Sequence, residues 1–174
     1  MKYLIYRLRQ AFSLISDEQL VLSTAFGYQL NPNLHITTDF QKFDELTVAA
    51  AKATSVVNKV GLMEKAVELY QGKLLSSAEG EHWLVHTANR YHFAYMSTAN
   101  ELLKQLMTIH AYDLIHQYAA LALTIAPENT KAYYWLIQSY LKQNMEEMAT
   151  GELVAARQKL PDEEYQKLLQ ELKK

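Results

Sequence analysis

His82 and His86 stand four residues apart, the spacing at which two imidazoles on one helical face can share a metal ion. The glutamate that a metallopeptidase carries after its first histidine is replaced here by Trp83, and no third ligand accompanies the pair. The plainer reading, surface histidines flanking a tryptophan, is therefore preferred and no metal is assigned. His110 and His116, six apart, do not share a face and read as surface or helix-junction residues. At the N-terminus, Lys2, Tyr3, Tyr6, Arg7, Arg9 and Gln10 gather on one side of an amphipathic stretch. Arginines so placed can grip guanine edges or neutralise phosphates when a helix enters a major groove, and the bland alternative is a solvated helix face. Among the aromatics, Tyr133 and Tyr140 have the spacing of core residues, whereas Tyr134 and Trp135 can project elsewhere. Tyr134 and Trp135 are the candidates for a partner-binding patch, weighed against packing between helices.

What is missing narrows the function classes. There is no glycine-rich phosphate loop, no Gly-x-Ser-x-Gly and no spaced acid pair with an identifiable pocket. Glu146-Glu147 and Asp162-Glu163-Glu164 are helix-end charges. The expectation is a protein with no catalytic residues and no cofactor, not an enzyme. Without cysteine there is no disulfide framework and no thiolate site, which favours an intracellular, cytoplasmic setting. A net charge of −2 argues against general nucleic-acid affinity along the chain. Arg7 and Arg9 interrupt any leader-like apolar run, and the uncharged stretch before Pro127 is too short to span a bilayer.

The elements that must position these residues are mostly helices, since 174 residues contain five glycines and three prolines. Lys2 to Ile15 reads as a helix burying Leu4, Leu8, Ala11, Phe12 and Ile15. Leu20–Leu22 and Tyr28–Leu30 around Gly27 read as a hairpin, which needs support from elsewhere because two strands alone are marginal. After a connector over Asn31–Ile36, Thr38 and Gln41 have capping-box spacing for a helix reaching about Thr54. Its partner runs over Val60–Tyr70, with Leu62, Ala66, Leu69 and Tyr70 inward and Gly72 as the stop. Ser76 and Glu79 can cap a long helix from Glu81 to His110. Helices over Tyr112–Ile125, Thr130–Gln143 and Glu146–Leu160 follow. A last helix after Pro161, acidic at its start with Lys173 and Lys174 at its end, reads as a cap.

Between Thr130 and Pro161 the chain places Tyr133, Leu136, Ile137 and Tyr140, then Ala149, Leu153, Ala156 and Pro161. This is the spacing of a tetratricopeptide unit, with Ile137 where a small residue usually sits. Pro127 lies 34 residues before Pro161, one repeat length. The preceding segment, Met96 to Pro127, holds the frame more loosely through Leu102, Leu103, Leu106, Ile115, Ala119 and Ala122. Its departures are Leu103 at the small position and Ile115 where alanine is expected. Two units in phase predict a mainly α, tetratricopeptide-like array of helical hairpins, preceded by a short helix and a β-hairpin.

Two further motifs occur in a fixed order. Ile5-x-Arg7-Leu8-Arg9-x-Ala11-Phe12, then Leu20-x-Leu22-Ser23-Thr24-x-x-Gly27-Tyr28-x-Leu30, resembles the recognition helix and wing hairpin of an OmpR-type winged-helix domain. Thr38-Asp39-x-x-x-Phe43, Ala66-x-x-Leu69-Tyr70-x-Gly72-x-Leu74-Leu75, Glu81-x-Trp83 and Arg90, followed by the repeats, resembles the bacterial transcriptional activation domain of SARP/AfsR-type regulators. The resemblances imply a partial winged helix over 1–34 and an activation domain over 38–174. A winged helix needs two earlier helices and an N-terminal sheet, so the sequence reads as an excised or truncated piece of a regulator. Binding to DNA is then expected through a complete winged-helix domain, with Lys2, Tyr3, Tyr6, Arg7, Arg9 and Gln10 as its reading face.

The implied function is transcription regulation. The array would contact a protein partner (RNA polymerase, a regulatory protein or a second copy, giving a homodimer), with no membrane role. The long helix beginning near Trp83 would pack the array against the winged helix, so that partner binding changes how the recognition helix is presented. The rival reading is a stand-alone tetratricopeptide-like adaptor that binds peptides and has no DNA role. A third is a small-molecule sensor with an aromatic pocket between hairpins.

Overall fold

A computed structural model describes residues 2–72 and 82–173, with the side chains of His82 and Trp83 outside the described set. The expected cap at Ser76 and Glu79 also lies outside the described residues. The chain divides into two compact units, Met1–Thr38 and Asp39–Lys174. Among the described residues there are eight helices and one two-stranded antiparallel sheet, a mainly α protein with an N-terminal hairpin.

In the first unit, α1 (Lys2–Phe12) precedes β1 (Val21–Thr24) and β2 (Gly27–Leu30). The strands pair in the register Val21↔Leu30 to Thr24↔Gly27. Gly27 closes the tip at φ +137°, a backbone that side chains rarely tolerate, and Phe26 beside it is fully exposed. Asn31 ends β2: its side-chain amide donates to the Gln19 carbonyl (2.9 Å) while its Oδ1 accepts from the Asn33 amide (3.0 Å).

The helix differs from expectation. It ends at Phe12, short of Ile15, and Leu4, Leu8, Ala11 and Ile15 are exposed. The half-buried stripe is instead Ile5, Arg9 and Phe12. Arg9 explains the choice, since its Nε donates to the Val21 carbonyl and its guanidinium to Ser23 Oγ, both at 2.9 Å. Those bonds commit the Arg9 face to the hairpin, and a helix with a single neighbour in its unit buries one narrow stripe.

The second unit runs α2 (Asp39–Lys52), α3 (Val56–Leu69), α4 (His82–Thr108), α5 (Tyr112–Ile125), α6 (Thr130–Lys142), α7 (Glu146–Lys159) and α8 (Asp162–Leu172). Helix α3 starts one turn earlier than its apolar pattern suggests. Its inward face is Val60, Met63, Ala66, Val67 and Tyr70, with Leu62 and Leu69 at the margin. Short connections fold α2 on α3, α5 on α6 and α6 on α7, and alternate helices α4, α6 and α8 also touch.

Most residues that set the expected repeat frame are interior, while Tyr140 and Leu153 are half-buried and Pro161 is exposed. Leu102, Leu103, Leu106, Ile115, Ala119 and Ala122 are fully buried, as are Ile137 and Ala156. Helix α6 separates two cores. Ala132 and Leu136 face the first, with α2 to α5, while Tyr133 and Ile137 face the second, with Ala149, Ala156, Leu160 and Leu168. Helix α8 covers that second core through Leu168, its one buried residue among those described.

The 34-residue spacing also appears in backbone geometry. His110 and Asn144 end α4 and α6 in the left-handed region, at φ 58° and 59°, and lie 34 residues apart. The next amide reaches back to the same place in each helix, Ala111 to the Leu106 carbonyl (3.0 Å) and Met145 to the Tyr140 carbonyl (2.9 Å). The closing bonds of α5 and α7, Ala126 to Ala122 and Leu160 to Ala156, match as well, both at 2.8 Å.

Candidate partner-binding site

The contact of α4, α6 and α8 leaves a groove of about 580 Å³ along their shared face. Its walls are Ser97, Asn100, Glu101 and Lys104 from α4, Lys131, Tyr134 and Trp135 from α6, and Glu171 from α8. The α4 residues follow i, i+3, i+4, i+7 spacing, which puts them on one face. Ser97 with Lys131, Asn100 with Tyr134 and Glu101 with Trp135 are each one 34-residue step apart. The groove is thus the repeat's own outward register, complementary to the buried framework.

Tyr134 and Trp135 meet edge to face, with centroids 4.9 Å apart, and both are half-buried. Lys59 of α3 reaches across to Glu101 (Nζ–Oε1 2.8 Å), and Gln105 Nε2 donates to the same oxygen at 2.8 Å. The hydrogen bond from Lys59 leads in holding the Glu101 carboxyl below the usual glutamate range, against a smaller opposing effect of burial. Ser97 and Glu101 also line a smaller hollow with Thr47, Ala51, Lys59 and Met63, so the concave strip continues toward α2 and α3. Asn100 Oδ1 is buried without a hydrogen-bond partner.

The structure brings Tyr134 and Trp135 together in this groove and leaves Lys2, Tyr3, Tyr6, Arg7 and Gln10 exposed on α1, with Arg9 engaged by the hairpin. His86 is exposed on α4, the His82 side chain lies outside the described residues, and no metal-binding cluster occurs among the described residues. His116 stacks on Tyr140 at 4.3 Å, and burial lowers its pKa. Pattern reading of the sequence misses His92. It is nearly buried, with Nδ1 3.4 Å from the Tyr70 hydroxyl and Nε2 3.2 Å from Glu128 Oε1. The signal available for it was its place directly after Tyr91 on the inward side of α4.

Residues 38–174 match the family model described as bacterial transcriptional activator domain, and these bounds coincide closely with the second structural unit. The chain belongs to the bacterial transcriptional activator domain family. This places the activator domain in transcription regulation and not in an enzyme family. No curated protein matches the chain. No described helix is long and apolar enough to cross a membrane. Within the activator domain the resemblance residues have structural roles. Phe43 packs with Tyr70 and Tyr91, and Arg90 lies over the Tyr91 ring (4.4 Å) while approaching Asp44 (3.6 Å).

Proposed function

We propose that this chain is the effector part of a bacterial transcription regulator, in which a tetratricopeptide-like array docks a protein partner on the α4–α6–α8 groove. RNA polymerase, a regulatory protein or a second copy of the chain are the partners of this reading. DNA is read by an adjoining winged-helix domain, of which residues 1–34 form the recognition helix and wing. The single supporting observation is the groove lining, where equivalent positions of successive repeats, including Tyr134 and Trp135, face outward together. An aromatic pair beside polar side chains on rigid helices is the kind of surface on which partners dock.

The test is transcription from a reporter promoter with purified RNA polymerase, the chain being fused to an unrelated DNA-binding domain. Activation is expected, and Tyr134→Ala with Trp135→Ala should remove it while far-UV circular dichroism stays unchanged. Full activation by that variant refutes the groove as the docking site. For the DNA face, Arg7→Ala in a complete regulator should lower the salt dependence of binding by about one ion. One observation favours the adaptor reading: Arg9 spends its donors on Val21 and Ser23, which gives it a role inside the unit. An adaptor would bind peptides in the groove yet fail to activate the reporter.

A further inference from the structure

The groove's lining carries polar and charged side chains beside its aromatic pair. Lys104 and Lys131 make no ion pair among the described residues, whereas Lys42, Lys59, Arg90, Arg157 and Lys167 each do. Glu101 is already neutralised by Lys59, so its charge is not available to a ligand. What remains facing the groove is two lysines against Glu171, an excess of one positive charge. Asn100 Oδ1 accepts no hydrogen bond among the described residues, although an unpaired buried acceptor costs stability, and Asn100 lines the groove with the lysine of its own helix and the aromatic pair. An amide offers both a donor and an acceptor, which is what a peptide backbone requires. Tyr134 and Trp135 supply an apolar wall for one side chain.

Resting on the docking reading above, we propose that the groove takes an extended acidic peptide segment of a protein partner. Its carboxylates lie at Lys104 and Lys131, its backbone at Asn100, and an apolar side chain against Tyr134 and Trp135. Single-stranded nucleic acid also suits lysines beside aromatics, but Glu171 in the wall opposes a continuous run of phosphates, whereas a peptide can set a neutral residue beside it.

The test is fluorescence anisotropy with the whole chain and three labelled probes: the hexapeptide EELFEE, its counterpart KKLFKK and a six-nucleotide thymidine oligomer. The acidic peptide should bind at least tenfold more tightly than either other probe. Lys104→Gln with Lys131→Gln should weaken it roughly tenfold, as expected for two exposed charge contacts. Asn100→Ala should weaken it by a smaller factor, with the preference for acid retained. Equal binding of the two peptides, both lost in Tyr134→Ala with Trp135→Ala, overturns the acidic selectivity and leaves the docking site standing. Binding of the oligonucleotide in preference, or of no probe, overturns the proposal, and the reporter assay then judges the docking reading separately. Both lysines are exposed, so the double variant should keep its fold, which circular dichroism verifies.

Discussion

Ile137→Ala brings the chain closer to the small residue usual at this point of the repeat, and we expect it to be strongly destabilising. Ile137 is fully buried between Tyr133, Ala149, Ala156 and Leu160 in the second core. Removing its outer carbons forfeits about 2.5 kcal/mol of transfer free energy at roughly 0.8 kcal/mol per methylene. The cavity left behind adds about 1 kcal/mol, for a loss of about 3–4 kcal/mol. Against a total of about 5–15 kcal/mol for a domain, that is a substantial fraction. Urea unfolding followed by circular dichroism should show a lower midpoint at constant m-value. Leu103→Ala, the same repeat position in the first core, should cost a similar amount. The two losses should add within about 0.5 kcal/mol, since they lie in different cores. A loss below about 1 kcal/mol for Ile137→Ala would refute the reasoning. It would mean that α6 and α7 close on each other and that the spacing is not set by the isoleucine's volume.

Asn144→Ala places a side chain with no local hydrogen bonding at φ 59° and should cost about 1 kcal/mol in the same assay, whereas Asn144→Gly should cost little or nothing. Equal losses would move the role from backbone to side chain. The depressed pKa of Glu101 means that its stabilisation is present above the ordinary glutamate value of about 4.3 and is lost as pH falls through the lower folded value. The Lys59–Glu101 pair is partly exposed, so its share is under about 1 kcal/mol. The stability difference between the wild type and Glu101→Gln should therefore shrink between about pH 5 and pH 3. A difference unchanged at low pH would exclude the pair as its source.

The helical half was legible because burial in it follows chain period. Leu102, Leu103, Leu106, Ala119 and Ala122 are interior as their spacing requires, and each repeat's outward positions fall 34 residues apart by the same arithmetic. Tyr134 and Trp135 were singled out for that reason, since they occupy the helix beside the framework positions. Periodicity failed where one side chain outvoted a stripe. In the N-terminal segment the apolar series Leu4, Leu8 and Ile15 is exposed because Arg9 fixes the opposite choice through Val21 and Ser23. Pattern reading scores apolar residues, so it cannot weigh an arginine that buries its stem to reach a carbonyl.

The sequence by itself determined the mainly α architecture and the family, because local pattern and packing agree at nearly every helix of the activator domain. The tertiary structure decided which outward residues share a groove, how Lys59 neutralises Glu101 across 42 positions of chain, and that His92 lies between Tyr70 and Glu128. The reason is distance along the chain. A helix's own period fixes which residues lie on one face, but not which residue from another helix comes opposite them. That pairing follows from the packing of whole helices, and through it the charge left free in the groove is set.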